Sequence, residues 1–154
     1  MGPTNNIGYL LQHLASVLGK QSDQVLQEQL GIGFSQFKIL MALQWNPKTQ
    51  QRQIAEALGQ TEASISRQIK LMLEKGLLQS MVSPQSKREH ITTPTQKGIR
   101  LTEATREVLN NYHAPMFDQL SDKQRQQLLE ALSTMHGYAC RSGNLAACHR
   151  PMIN

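Results

Sequence analysis

Five residues within one short stretch, Thr61, Ser64, Ser66, Arg67 and Lys70, recur on one side of a helical pattern, with Gln68 at its margin. Their chemistry is hydrogen bonding and positive charge. An arginine fork matches the two acceptors that guanine shows in the major groove, and hydroxyls and amides serve other base edges. Arg52, Lys70, Lys87 and Arg88 are placed to neutralise phosphates, the sequence-independent source of affinity for a duplex. Thr49 reads as the cap of the helix before this stretch, where unpaired backbone N–H groups also suit a phosphate.

Such side chains need a rigid support, and the sequence from Gln51 to Gly76, QRQIAEALGQTEASISRQIKLMLEKG, provides one. Ile54, Ala55 and Leu58 have helical spacing. Gly59 ends that helix, as a residue tolerant of positive φ does. Thr61 caps a second helix, whose Ile65, Ile69, Met72 and Leu73 form an apolar stripe opposite the polar face. Two short helices, the second packed on one side and basic on the other, form a helix-turn-helix pattern. The competing reading is a helical hairpin with a solvated face.

The next segment favours the first reading. Leu77, Leu78, Met81 and Val82 predict a strand, Ser83-Pro84-Gln85-Ser86 a turn, and Glu89 to Thr93 the return strand. Lys87 and Arg88 sit at the tip, so the hairpin reads as a wing that lays Arg88 along the backbone or into the minor groove. The charge distribution agrees. The chain of 154 residues carries a formal net charge of +5. Between residues 52 and 100 stand eight Lys and Arg against four Glu.

The order and spacing over roughly residues 5 to 136 resemble the MarR family of winged helix-turn-helix transcription regulators. The residues that carry the likeness are Phe34-Ser35-Gln36-Phe37 with Leu40 and Leu43, then Gln53-Ile54-Ala55-Glu56-Ala57-Leu58. Ser64-Ile65-Ser66-Arg67, Leu73-Glu74-Lys75-Gly76-Leu77, Ser83-Pro84, Arg88 and Thr95-Gln96-Lys97-Gly98 follow. Two positions depart from the family pattern. Ser86 stands where an Asp usually orients the wing arginine, and Pro94 stands where Leu is usual. The resemblance implies a mostly α fold with a small β-hairpin wing. Residues 5–33 and 95–136 would supply dimerisation helices and residues 34–94 the DNA-binding lobe, leaving 137–154 as a flexible tail. It further implies a homodimer on a pseudo-palindromic operator in double-stranded DNA, with repression relieved by a signal. That signal would be a small molecule in a cleft between the dimer helices and the wing lobe, for which His13 and Trp45 are the candidate lining residues.

Along the rest of the chain, Asn5 or Asn6 caps a helix over residues 7–18 with a broad apolar face, which Gly19 ends. A short helix covers 23–30. Ser35 caps a helix from Gln36 to Gln44, stopped by Asn46-Pro47, and Trp45 packs at its end. Thr95 opens a long helix to about Tyr112, kinked or interrupted at Pro115. Ser121 and Gln124 make a capping box for a last helix from Lys123 to about His136, closed by Gly137.

In the tail, His136, Cys140, Cys148 and His149 suit zinc, copper or a thiol switch by ligand type. Their spacing fits no compact metal motif, so no cofactor is assigned. The first helix lacks a cysteine, against the family's commonest oxidant-sensing arrangement. No glycine-rich phosphate loop, nucleophile elbow or carboxylate pair points to an enzyme. A winged fold kept as a protein-interaction module is the remaining rival. No apolar run approaches the ~18 residues of a membrane helix, so a cytoplasmic protein without membrane contact is expected.

Overall fold

In the computed structural model, which describes residues 6–142, the elements run α1 (Ile7–Leu30), α2 (Phe34–Trp45), α3 (Gln51–Leu58), α4 (Glu62–Glu74), β1 (Leu78–Ser83), β2 (Ser86–Pro94), α5 (Gln96–Phe117) and α6 (Asp122–Ser142). The fold is mostly helical with one antiparallel hairpin. The hydrophobic core gathers Leu26 of α1, Ile39, Leu40 and Leu43 of α2, Ile54 of α3, Ile65 and Met72 of α4, and Leu78 of β1. Each helix contributes the stripe that its helical spacing puts on one side, which is what holds α3 and α4 at a fixed angle.

Three boundaries differ from the sequence reading. Gly19 does not end the first helix: α1 runs unbroken for 24 residues and closes at Gly31, whose φ of 63° lets its N–H reach the carbonyls of Leu26 and Gln27. A glycine in a helix interior costs only about 1 kcal/mol, less than the buried Ser22, Val25 and Leu26 beyond it contribute by packing. Pro115 does not interrupt α5 either; it sits in the last turn, before Phe117. Finally, α6 passes through Gly137 to Ser142, so residues 137–142 are helical and only 143–154 lie outside the described residues.

Two caps also moved. Gly33, not Ser35, precedes α2, where the Gln36 side chain accepts from its N–H at 3.2 Å. Gln50, not Thr49, caps α3, where Gln53 does the same at 2.9 Å. Asn6, Thr61, Thr95 and Ser121 cap as read: each side-chain oxygen accepts from a first-turn N–H.

A dense joint ties the end of α4 to the start of α5. The Thr95 hydroxyl donates to the Gly76 carbonyl at 2.6 Å, the Thr95 amide to that of Leu77 at 3.0 Å, and Lys97 Nζ to that of Lys75 at 2.8 Å. Gly76, at φ 68°, turns the chain from helix into wing.

Between α1 and α5, buried Ser22 meets His113, with Oγ and Nε2 3.2 Å apart. Burial lowers the His113 pKa from its ordinary 6.5. The folded state thus favours the neutral ring, and its stabilising effect is complete above the unfolded pKa. As pH falls below that value the unfolded chain takes up the proton first, and stability declines until the lower folded pKa is passed. The melting temperature is expected to drop between about pH 8 and about pH 5, and His113→Gln is expected to shrink that drop. An equal drop in the variant would remove His113 as the cause.

Candidate nucleic-acid interface

Helix α4 buries Ile65, Ile69 and Met72. Those three anchors aim the other side outward, and Thr61, Ser66, Arg67 and Lys70 are all exposed there. Arg67 therefore projects outward from a helix anchored on its opposite side. Arg52 on α3 is also exposed and pairs with Glu56 at 3.1 Å, a solvated i,i+4 contact worth a few tenths of a kcal/mol. A duplex phosphate can compete for that guanidinium.

Ser64 and Gln68 are placed differently from the others. Both are half-buried and turn toward Gln60, in the turn between α3 and α4. Gln68 Nε2 donates to Gln60 Oε1 at 2.8 Å, and Ser64 Oγ to the same oxygen at 3.2 Å. Gln60 Nε2 in turn donates to Ser35 Oγ of α2 at 2.6 Å. Ser35 and Gln60, absent from the sequence-derived set, thereby fix the rotation of α4 against α2. The only sequence signal for Gln60 is its place in the turn, since its partner lies 25 residues away.

Thr49 is buried beneath α3; its hydroxyl has no hydrogen-bond partner, and its amide donates to the Asn46 carbonyl at 3.0 Å. It neither caps nor presents a donor at the surface.

The wing pairs Leu78 with Pro94 at its base and continues in register to Val82 and His90. The next pair is Ser83 with Ser86, so Lys87, Arg88 and Glu89 fall in an irregularity opposite the Val82–Ser83 step. Lys87 is exposed, while the side chain of Arg88 lies outside the described residues. Met81 and Val82 are about half exposed, so the wing projects beyond the core.

The effector candidates are not brought together. His13 stacks on Tyr9 along α1, with ring centroids 5.8 Å apart. Trp45 is 63% exposed at the end of α2 and does not pack as expected. A cleft of about 460 Å³ instead opens between α1 and the start of α2, lined by Ser16, Lys20, Asp23, Phe34, Lys38 and Gln60 among others. Lys38 Nζ lies 4.4 Å from the centre of the Phe34 ring, and desolvation by burial lowers its pKa. Of the tail candidates, His136 is half-buried on α6; the side chain of Cys140, and Cys148 and His149, lie outside the described residues. Among the described residues there is no cluster of three or more metal-ligating side chains and no helix long and apolar enough to cross a membrane.

A family model described as "MarR family" matches residues 30–89, which span α2, α3, α4 and most of the wing. No curated protein matches the chain. Among solved structures, Staphylococcus aureus MepR in complex with DNA is 26% identical, with a TM-score of 0.66 over 86% of this chain and 98% of that one. The Mycobacterium tuberculosis MarR family protein RV2887 with salicylic acid is 22% identical, with a TM-score of 0.74 over 84% and 96%. CouR from Rhodococcus jostii RHA1, bound to p-coumaroyl-CoA, is 17% identical, with a TM-score of 0.70 over 100% and 99%. The matched segment coincides with the winged helix-turn-helix, so residues 30–89 resemble the MarR family, and the fold is that of MarR-family structures.

Proposed function

We propose that the protein is a cytoplasmic, homodimeric repressor, with no catalytic activity, that binds a pseudo-palindromic operator and leaves it when a small molecule enters the cleft beside α2. The observation that carries this reading is the outward face of α4. Arg67 and Lys70 are exposed on the side opposite buried Ile65, Ile69 and Met72, and Ser66 is exposed beside them. Arg67 reads a guanine; Ser66 serves a neighbouring base edge; Arg52, Lys70, Lys87 and Arg88 meet phosphates. Ser64 and Gln68 act at one remove, by setting the pose of α4 through Gln60.

Dimerisation through residues 5–33 and 95–136 is supported by what those elements leave uncovered. Ile7, Leu10 and Leu14 of α1, Phe117 of α5, and Leu128, Leu129, Leu132 and Met135 of α6 are all exposed. Large exposed apolar side chains gathered on these elements suit an interface. Pairing the two chains there sets the two recognition helices roughly 34 Å apart, one duplex turn.

The DNA complex of MepR supports a duplex partner, and the ligands of RV2887 and CouR support a small aromatic effector. The cleft beside α2 offers Phe34 for stacking and Lys38 for a carboxylate, and Gln60 on its wall touches Ser64 and Gln68 of α4. An occupant that displaces Gln60 changes the pose of the reading helix. The test is selection of a duplex from a random pool, followed by titration of the selected duplex against salt. Affinity should fall steeply as salt rises, because several phosphates are neutralised. Failure to enrich any sequence would end the proposal.

A further inference from the structure

Arg67 belongs to a row of exposed side chains on α4. Ala63 stands one helical turn before it and Leu71 one turn after, and residues four apart on a helix are surface neighbours. Leu71 is 48% exposed, and among the described residues it is the one large apolar side chain of α4 turned to solvent. Ile65, Ile69 and Met72 are buried, and Leu73 packs against the core, so that core is built without Leu71. Nor does Leu71 lie on α1, α5 or α6, which carry the apolar surface assigned to pairing of the chains. It extends the surface proposed to meet a duplex. There the major groove offers one apolar feature, the C5-methyl of thymine.

We infer that Leu71 is a specificity-determining residue, packing on a thymine methyl beside the guanine read by Arg67. The inference rests on the proposed duplex binding by α4 and adds a second readable base to it. One helical turn rises 5.4 Å and bases on a strand step by 3.4 Å, which puts that thymine about one to two base pairs from the guanine. Helical side chains lean toward the N-terminus of their helix, so Leu71 leans toward the turn of Arg67. The preference has an attractive and a repulsive part. A methyl gains an apolar contact, whereas the amino group of cytosine would be desolvated against a side chain that cannot accept its hydrogen bond.

The test rebuilds the selected operator with each thymine in turn replaced by deoxyuridine, which removes the methyl and keeps the pairing. Binding of the full chain is read by fluorescence anisotropy. The wild type should weaken roughly threefold to fivefold at one thymine of each half-site, the effect of losing one buried methyl. That thymine should lie within about two base pairs of the guanine that Arg67→Ala ceases to prefer. Leu71→Gln, a change at an exposed position that spares the fold, should bind the thymine and deoxyuridine operators equally, with the wild-type salt dependence. Leu71→Met should keep the distinction. An operator indifferent to the loss of every thymine methyl, or a Leu71→Gln protein that still distinguishes the two duplexes, would overturn this inference and leave duplex binding by α4 standing. A selection that enriches no sequence would instead sink both together.

Discussion

Arg67→Ala is expected to weaken binding to the selected operator by roughly tenfold to a hundredfold while leaving binding to a scrambled duplex nearly unchanged. The reason is geometric. Arg67 is exposed on the side of α4 opposite Ile65, Ile69 and Met72, so its guanidinium is carried by a helix that cannot roll. A bidentate arginine–guanine pair is worth ~1–3 kcal/mol of discrimination, and each 1.4 kcal/mol is about tenfold in affinity. Nonspecific binding rests on phosphate contacts made by other residues, so it should survive with its salt dependence almost intact. Fluorescence anisotropy with both duplexes reads the two effects, and sedimentation shows whether the dimer persists. An operator preference equal to the wild type's would transfer base reading to Ser66 or the wing.

Gly98→Ala is expected to lower stability by about 1–3 kcal/mol, the cost of an added methylene in a packed site. In a free helix the same change would raise stability by about 1 kcal/mol. The sign reverses because a Cβ at Gly98 would lie 2.2 Å from the Leu77 carbonyl oxygen and 3.3 Å from a Leu40 methyl. The oxygen belongs to backbone that Thr95 and its neighbours already hold, so it cannot step aside cheaply. Gly19→Ala is the matched control: it too lies inside a helix, but its Cβ would meet nothing within 4 Å. Denaturant unfolding of both variants should give opposite signs. A Gly98→Ala protein as stable as Gly19→Ala would mean that the joint between α4 and α5 yields.

These two residues differ in how far the sequence announces them. The stripe of Ile65, Ile69 and Met72, the stop at Gly59 and the caps at Thr61 and Thr95 are local, repeating signals, and the structure has all of them. Gly98 enters the sequence reading only as part of the Thr95-Gln96-Lys97-Gly98 motif; its constraint comes from Leu77, just before β1. The same holds for Gln60, whose bonds run to Ser35, Ser64 and Gln68 together. Ser64 and Gln68 have the spacing of base readers, yet that neighbour draws them inward. Gly19 and Pro115 mislead in the other direction, because local propensity is weaker than the packing of a long helix. Thr49 and Ser35 are good capping types, but the caps fall at Gln50, one position later, and at Gly33, two positions earlier, where a glutamine three residues beyond the cap accepts from its backbone N–H.

Helix α6 shows how far this chain depends on company. Its capping box starts it well, but almost every side chain from Asp122 to Ala139 faces solvent within one chain. Most of a helix's stability in a protein comes from packing of its apolar face rather than from propensity, so in the proposed dimer the order of α6 and the pairing of chains become one equilibrium. Thermal midpoints should then climb with protein concentration, as they do for any assembly whose folded form is the associated one. For a regulator of this build, its own abundance would set the fraction of copies able to span two half-sites, before any effector arrives.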